Sequence, residues 1–248
     1  MRVAACRKAR AHRCARVALA ACVLTGCAAP AQAGDEDLAG PQNWQWAASL
    51  GVISDYRFRG VSLSDEHPSL HAAFSLDHAS GAYGGLALNT TELEPGERRP
   101  QWQAYGGYAV TLAQDLSGEL GAVLARISGE SAYDYGECYL GLAAQRWSAR
   151  LYYSPDYLGR GWSSLYGEFG ASLPLGERLR VFAHAGALHS LEDNAMGVRP
   201  ATRYDASIGV ALFIETVELR LAWVGTSHGY AVYPQRRNTA VLGATLAF

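Results

Sequence analysis

The chain has 248 residues, and 21 lysine and arginine residues against 23 acidic residues give a net charge of -2 at neutral pH. This balance argues against a nucleic-acid partner, which would need a basic face. Four of the five cysteines lie within the first 27 residues. Once that segment is removed, Cys138 is left alone and a fold held together by disulfides is excluded.

Residues 1–33 have the features of a secretory signal peptide. Six basic side chains and no acidic one precede a short apolar run, Val17 to Leu24, and a small-residue cleavage site follows at Ala31-Gln32-Ala33. Cleavage there would remove six of the 21 basic residues and none of the 23 acids, which leaves a net charge of -8. An alternative is Leu24-Thr25-Gly26-Cys27, which resembles the lipobox of bacterial lipoproteins, where Cys27 is lipidated. Both alternatives predict export, with 34–43 as a short periplasmic segment and 44–248 as the folded domain.

The first alternating stretch of the exported chain runs over residues 44–59. One parity is largely apolar, from Trp44 to Phe58, and the other is largely polar, from Gln45 to Arg59. A β-strand sends successive side chains to opposite faces, so this stretch predicts a strand with one apolar face and one polar face.

Eleven further stretches of about ten residues repeat this pattern, separated by Gly, Pro, Asp, Ser and Asn. They are 69–78, 82–90, 101–110, 116–127, 136–144, 147–154, 165–173, 179–188, 204–212, 218–226 and 237–248. Helical spacing is scarce, and no run of eighteen apolar residues follows residue 33. The sequence therefore predicts an all-β fold of about twelve antiparallel strands without a transmembrane helix.

The connections between these stretches alternate in length. The longer ones are 60–68, 91–100, 128–135, 155–164, 189–203 and 227–236, and the shorter ones are 79–81, 145–146, 174–178 and 215–217. Transmembrane β-barrels have short periplasmic turns, longer outer loops and an even number of strands. The alternation predicts such a barrel in a bacterial outer membrane, with lipid around it.

Aromatic residues gather toward both ends of the predicted strands. The set near the short turns is Trp44, Trp46, Tyr83, Trp147 and Phe248, and the set near the long loops is Tyr56, Phe58, Trp102, Tyr153, Tyr204 and Trp223. Aromatic rings favour the headgroup level of a membrane, so two belts are expected. The alternative is the ordinary enrichment of aromatic residues in strands.

The segment 54–85, SDYRFRGVSLSDEHPSLHAAFSLDHASGAYGG, resembles the TorF-like porins, also called the Gcw_chp family of bacterial outer-membrane proteins. The likeness is carried by Ser54-Asp55-Tyr56, Phe58-Arg59-Gly60-Val61-Ser62, Pro68, and Ser80-Gly81 with Tyr83, and more loosely by Ser154-Pro155-Asp156-Tyr157 and the terminal aromatic residue. The resemblance implies an outer-membrane barrel with a porin role. It brings no established substrate and no catalytic residue.

Charged residues recur on the parity that would face the lumen. They are Asp55, Arg57, Arg59, Glu119, Glu137, Arg150, Glu168, Arg180, Asp205, Glu218 and Arg220. Twelve tilted strands leave a lumen of at most about 10 Å across if no loop folds inside. We expect these residues to line a wet pore for small hydrophilic solutes or ions and to set its ion preference. The alternative is that acids and bases on neighbouring strands pair and stabilise the wall, in the series Glu137, Arg150, Glu168, Arg180, Asp205 and Arg220.

Other chemistry has less support in the sequence. Of His67, His71 and His78, only His71 faces inward on a strand, so no metal site or cofactor is predicted. Gly-x-Ser-x-Gly is absent, and His189-Ser190 and Ser227-His228 lie in predicted loops without an orienting acid, so no enzyme is predicted. The alternatives to a pore are a structural or adhesive barrel with a plugged lumen, binding partners through loops such as 192–200, and, less favoured, an outer-membrane hydrolase.

The sequence ends in the alternating segment VLGATLAF. Leu242, Ala244, Leu246 and Phe248 are predicted to face lipid, and the strand is predicted to pair with the first one so that no sheet edge stays open. Phe248 resembles the C-terminal signal that outer-membrane barrels present to the barrel-assembly machinery. That machinery is therefore expected to be a partner.

Overall fold

A computed structural model describes residues 43–130, 133–159, 161–192, 202–227 and 235–248. The predicted leader, Cys27 and nearly all of the 34–43 segment lie outside the described residues. Within the described part of the chain, no helix is long and apolar enough to cross a membrane.

The described residues form β-strands and one short 3-10 helix, Tyr157–Gly159. The strands are β1 (Trp44–Ile53), β2 (Arg57–Phe58), β3 (Val61–Ser62), β4 (Ser69–His78), β5 (Ala82–Glu94), β6 (Glu97–Ala113), β7 (Leu116–Ile127), β8 (Tyr135–Ala144), β9 (Trp147–Ser154), β10 (Ser164–Leu175), β11 (Leu179–Ser190), β12 (Thr202–Ile214), β13 (Val217–Thr226) and β14 (Asn238–Ala247). Strands β1 and β4 to β14 make a closed antiparallel barrel, and β2 and β3 make a separate hairpin. The prediction of a twelve-stranded antiparallel barrel is confirmed.

The barrel closes where β1 meets β14. Five positions pair there, from Ser49 opposite Ala247 to Ile53 opposite Gly243. The backbone N–H of Phe248 also donates a hydrogen bond of 2.9 Å to the carbonyl of Ala48. On its other side β1 pairs with β4 at ten positions. The predicted pairing of the last strand with the first is confirmed, and this seam is half as long as its neighbour.

The two faces of the wall follow the predicted parity. Leu70 and Leu120 point outward and are 66% and 65% exposed, whereas Thr91, Gln103 and Ser164 point inward and are almost completely buried. Large apolar side chains on the outside and polar ones on the inside invert the arrangement of a water-soluble protein. The outer surface is therefore suited to contact with lipid chains.

Three of the predicted belt residues are on the wrong face. Tyr83 is 9% exposed, since it lies on the inward parity of β5, and Tyr56 and Phe58 are 2% and 7% exposed because they follow the end of β1. The other predicted belt residues are exposed and point outward: Trp44, Trp46, Trp147 and Phe248 toward one end, and Trp102, Tyr153, Tyr204 and Trp223 toward the other.

The first strand is shorter than predicted. The sequence predicts 44–59, but β1 ends at Ile53 after ten residues. Ten tilted residues are enough to cross the hydrocarbon layer of a membrane, so the strand needs no more. The chain instead turns at Ser54, and the alternation beyond that point belongs to the small hairpin of β2 and β3.

The connection predicted over 91–100 is also different. Strands β5 and β6 continue through it as a paired hairpin, with Thr91 opposite Arg99 and Glu92 opposite Arg98. The turn falls at Pro95 and Gly96, where Gly96 has a φ of +82°. A Pro-Gly pair is suited to a tight turn, so the polar stretch folds as strand rather than loop.

Candidate functional site

The connection between β1 and β4 folds into the barrel. Asp55, Arg57 and Ser62 are 4%, 2% and 2% exposed. Its turn residues, Arg59 and Gly60, have φ values of +50° and +78°, as expected of a two-residue hairpin turn of type I′. A methyl group added at Gly60 would come within 2.8 Å of Thr226 Cβ. The tip of this segment, the lumen hairpin (residues 54–68), is therefore seated against β13.

Buried charges brace the lumen hairpin internally. The Arg57 guanidinium donates to Asp55 at 2.6 Å and to the carbonyl of Gly60 at 2.9 Å. Ser62 Oγ donates to the second Asp55 oxygen at 2.6 Å. Asp55 and Arg57 thus pair inside the hairpin, Arg57 also donates to the carbonyl of Arg236 at 2.9 Å, and neither residue extends from a barrel strand as the sequence predicts.

The base of the lumen hairpin is attached to the wall on both sides. On one side, the N–H of Glu92 donates to the carbonyl of Leu63 at 2.8 Å, and Tyr56 Oη donates to Gln101 Oε1 at 2.6 Å. On the other side, the N–H of Ser54 donates to the carbonyl of Leu242 at 2.8 Å. The hairpin is thereby tied to β5, β6 and β14.

Arg59 holds the tip of the lumen hairpin to the far wall. Its Nη2 donates to both carboxylate oxygens of Glu137 on β8, at 2.7 and 2.8 Å. Its guanidinium carbon lies 3.9 Å from the centre of the Tyr166 ring, and the rings of Phe58, Tyr152 and Tyr157 lie within 5.6 Å. Burial lowers the pKa of Arg59, but Glu137 and the surrounding tyrosines raise it well above its ordinary value, so the guanidinium stays charged.

A row of charged residues and glycines crosses six neighbouring strands from β7 to β12. Directly opposed residues in this row are, in order, Glu119, Gly141, Arg150, Glu168, Gly186 and Asp205. Arg150 Nε lies 2.6 Å from Glu119 Oε1, across Gly141, and Arg150 Nη1 lies 3.8 Å from Glu168. The glycine is what lets side chains two strands apart meet.

The predicted pairing of neighbouring charges is confirmed for Arg150 with Glu168 and wrong for Glu137 with Arg150. Arg150 stands opposite Gly141 on β8, not opposite Glu137. Glu137 lies nearer the long loops and binds Arg59 of the lumen hairpin instead. Its partner therefore comes from across the lumen.

Inward-facing tyrosines form a second row beside the charges. Tyr83 Oη lies 2.7 Å from Tyr139 Oη and donates to Glu119 at 2.8 Å, passing over Gly107 and Gly121. Further round, Tyr152 Oη donates to Glu168 at 3.1 Å, and Tyr166 Oη donates to Asp205 at 3.2 Å. His184 Nε2 is 2.9 Å from the same Asp205 carboxylate. These hydroxyl groups extend the charged row into a polar network of two groups, one around Glu119, Arg150 and Glu168 and one around Asp205.

Three predicted pore-lining residues, Arg180, Glu218 and Arg220, lie outside the row of charged residues and glycines. Arg180 and Arg220 place their guanidinium carbons 4.8 and 3.8 Å from the ring centres of Phe213 and Phe182. Glu218 faces inward on β13, opposite Thr245. The structure thus places Asp55, Arg57, Arg59 and Glu137 in or against the hairpin and Glu119, Arg150, Glu168 and Asp205 in the charged row, with Arg180, Glu218 and Arg220 elsewhere on the inner wall.

Two further features lie around the lumen hairpin. A cavity of about 50 Å³ separates its tip from β10 to β12, lined among others by Arg59, Glu168 and Asp205. At its base, one ligand atom each from Asp65, His67 and Glu92 lies within 4.8 Å of the others, the spacing that a divalent cation needs. Arg98 Nε already lies 3.2 Å from the Glu92 carboxylate, so a cation there would compete with a guanidinium.

The tyrosines and glycines of the network are missed by the sequence analysis. Tyr139, Tyr152 and Tyr166 share the inward parity with the charged residues, which was the available signal. Gly141 and Gly186 lie opposite charged residues of the neighbouring strands. Their role therefore depends on the register between strands. Register between strands is set by pairing over the whole sheet and is not visible within one strand.

Comparison with known proteins agrees with this architecture. The KdgM porin matches with a TM-score of 0.55 at 11% sequence identity, covering 82% of this chain and 99% of that chain. The structure of the KdgM porin in complex with disordered oligogalacturonate gives 0.54 at 11% identity, with the same coverage. The NanC porin gives 0.56 at 9% identity, again with 82% and 99% covered. At these identities the likeness shows a shared barrel fold.

Sequence comparison gives the family. A search of curated proteins gives no match. The family model described as "Bacterial protein of unknown function (Gcw_chp)" matches residues 38–248, which include the whole barrel and the lumen hairpin. The chain therefore belongs to the Gcw_chp family.

Proposed function

We propose that this protein is a porin of the TorF-like kind, a passive channel for small hydrophilic solutes or ions in the outer membrane of a Gram-negative bacterium. The observation that carries the proposal is the inverted polarity of a closed barrel, apolar outside and charged inside. Such a wall satisfies all its backbone groups within the sheet and can stand in lipid around an aqueous interior. The barrel fold shared with the KdgM and NanC porins supports the same function.

The proposal assigns two positions to the predicted pore-lining residues. Glu119, Glu137, Arg150, Glu168, Arg180, Asp205, Glu218 and Arg220 line the wall, and Asp55, Arg57 and Arg59 line the lumen from the hairpin. Export by residues 1–33 and recognition of Phe248 by the barrel-assembly machinery belong to the same proposal. Both stay predictions, as does the absence of an enzymatic activity or a cofactor.

The test is electrical. Protein from residue 34 onward is refolded in detergent, its barrel is verified by heat-modifiable mobility on a gel, and it is inserted into planar lipid bilayers. Stepwise conductance and swelling of proteoliposomes in small sugars are the expected results. An assembled barrel that gives neither conductance nor swelling, with the lumen hairpin present or removed, would contradict the porin function.

A second candidate is a structural or adhesive barrel with a plugged lumen. The observation that favours it is the burial of the lumen hairpin, since Arg57 and Ser62 are each only 2% exposed. In that case the outer loops would make the contacts that matter. The same bilayer experiment separates the two, because a structural barrel stays silent even when the hairpin is removed.

A further inference from the structure

We propose that the lumen hairpin decides which solutes pass through the barrel, and that the contact between Arg59 and Glu137 is the latch that holds it across the lumen. The inference rests on the proposed porin function. It adds to that function the element that sets the size limit and the residue pair that fixes it.

The first step is where the hairpin begins and ends. It leaves the wall at β1, and Arg59 reaches Glu137 on β8. In the order of the barrel, β8 is five strands from β1 in one direction and seven in the other. The hairpin therefore crosses the lumen close to its full width, and a solute must pass beside it.

The second step is how the hairpin is held. Its base is fixed by backbone hydrogen bonds from Ser54 to Leu242 and from Glu92 to Leu63. Its tip packs against Thr226 on β13, and Gln235 Nε2 donates to the carbonyl of Ser62 at 3.0 Å. On the β8 side the tip is held only by the side chain of Arg59, where Arg59 and Glu137 are 7% and 2% exposed. Buried charges of opposite sign stabilise each other only while both are present. Changing either one should release the tip from β8 while the base stays attached.

The third step is the space beside the tip. The cavity between the tip and β10 to β12 holds about 50 Å³, which is room for about four water molecules. That space is narrow, so the hairpin limits the size of a solute that passes beside it. With the latch closed, we expect the barrel to pass ions and only the smallest sugars, and we expect larger solutes to need a displaced tip.

The experiment uses charge reversal in the full chain. The variants are Arg59→Glu, Glu137→Arg, the double exchange, and a shortened form in which residues 55–67 are replaced by four Gly and Ser residues. The short linker can close the connection, since Ile53 and Ser69 are directly paired. Arg178→Glu is the matched control, because Arg178 is exposed in the turn between β10 and β11 and is not one of the pore-lining residues.

The readouts are single-channel conductance and the largest sugar that equilibrates in liposome swelling, each measured on barrels with heat-modifiable mobility. Each single reversal should raise conductance at least about twofold, and the shortened form should raise it further, because the cross-section left open sets the conductance. The double exchange should return both readouts toward the original values. Arg178→Glu should leave the size limit unchanged.

The outcomes distinguish a failure of the hairpin proposal from a failure of the proposed porin function. A shortened barrel that conducts like the original, with the same size limit, would overturn the hairpin as the limiting element. A double exchange as open as the single variants would overturn the latch. If neither the original nor the shortened barrel conducts, the porin function itself fails. Should a single reversal fail to assemble, the double exchange and the shortened form still decide the question.

Discussion

The inner surface of the barrel has two unlike walls. The charged wall, from β7 to β12, carries Glu119, Glu137, Arg150, Glu168 and Asp205 with the tyrosines between them. The small-residue wall, formed by β14, β1 and β4, carries mostly small inward residues, Ser49, Gly51, Ala73, Ser75, Gly243 and Thr245, beside His71 and Asp77. The lumen hairpin leaves from the small-residue wall and lands on the charged one. The polar network therefore lies on the wall that the lumen hairpin reaches, and the opposite wall carries few charged inward side chains.

Of the substitutions that test the difference between the two walls, Arg150→Met should lower the free energy of unfolding the most. Replacing Arg150 by Met leaves Glu119 and Glu168 without their guanidinium, and breaking a buried pair costs about 3 kcal/mol. The measurement is urea unfolding of the barrel in lipid vesicles, followed by tryptophan fluorescence. The matched change on the small-residue wall is Thr245→Val, which loses one 3.3 Å contact with His71 and should cost about 0.5 kcal/mol. Equal losses at the two positions would contradict the contrast.

A smaller effect is expected where the hairpin tip meets the charged wall. Gly60→Ala strains a residue with a φ of +78° and places a methyl group 3.0 Å from Asp205 Cβ on the charged wall and 2.8 Å from Thr226 Cβ on the neighbouring β13. Strain and crowding together should cost about 2 kcal/mol. Gly176→Ala is the control, since Gly176 has a φ of +81° but nothing within 4 Å of the added methyl. Limited proteolysis at the hairpin should increase for Gly60→Ala alone, and equal protection of both variants would argue against a seated tip.

The glycines of the two walls give a third comparison. A methyl group at Gly141 would come within 2.6 Å of Glu119 Oε1 and 3.0 Å of Arg150 Cγ, whereas one at Gly243 would meet nothing closer than 3.7 Å. Gly141→Ala should therefore push Glu119 and Arg150 apart and cost about 1.5 kcal/mol, while Gly243→Ala should change stability by less than about 0.5 kcal/mol. Urea unfolding measures both. A neutral Gly141→Ala would show that the pair does not need the glycine.

The smallest effect is expected from the hydroxyl of Tyr83. Tyr83→Phe removes hydrogen bonds to Glu119 at 2.8 Å and Tyr139 at 2.7 Å, at a cost of about 1 kcal/mol. Combining it with Glu119→Gln in a double-mutant cycle measures their coupling. Additive losses would mean that Tyr83 and the charged row act independently.

The outward and inward faces of the strands were predictable, because successive side chains alternate between two faces and one of these faces is clearly apolar. Leu70, Phe74 and Leu76 mark the outer face of β4 so clearly that its predicted bounds, 69–78, match the structure. The lumen hairpin was not predicted, because the alternation breaks only at Ile53 and Ser54 and then resumes on the same parity as far as Arg59. Two signals were present: sixteen residues exceed what a membrane needs, and Arg59-Gly60 fits a two-residue turn.

The candidate site was predicted in its members but not in its contacts. The pair of Arg59 and Glu137 joins residues 78 positions apart across the lumen. Comparison of adjacent strands cannot find such a pair, since Arg59 belongs to no barrel strand. The contact between Glu119 and Arg150 spans an intervening strand and depends on Gly141 lying in register between them. Both contacts depend on how the strands are arranged in the closed barrel, and no local sequence pattern shows them.

The short seam between β1 and β14 predicts which amide hydrogens of the barrel exchange first. It pairs five positions where the seam between β1 and β4 pairs ten, so fewer backbone hydrogen bonds must break for it to part. Amide hydrogens exchange earliest where local opening is easiest. In deuterated buffer we therefore expect the amides of Ser49–Ile53 that face β14 to exchange before those that face β4, making the joint that closes the barrel the first to open.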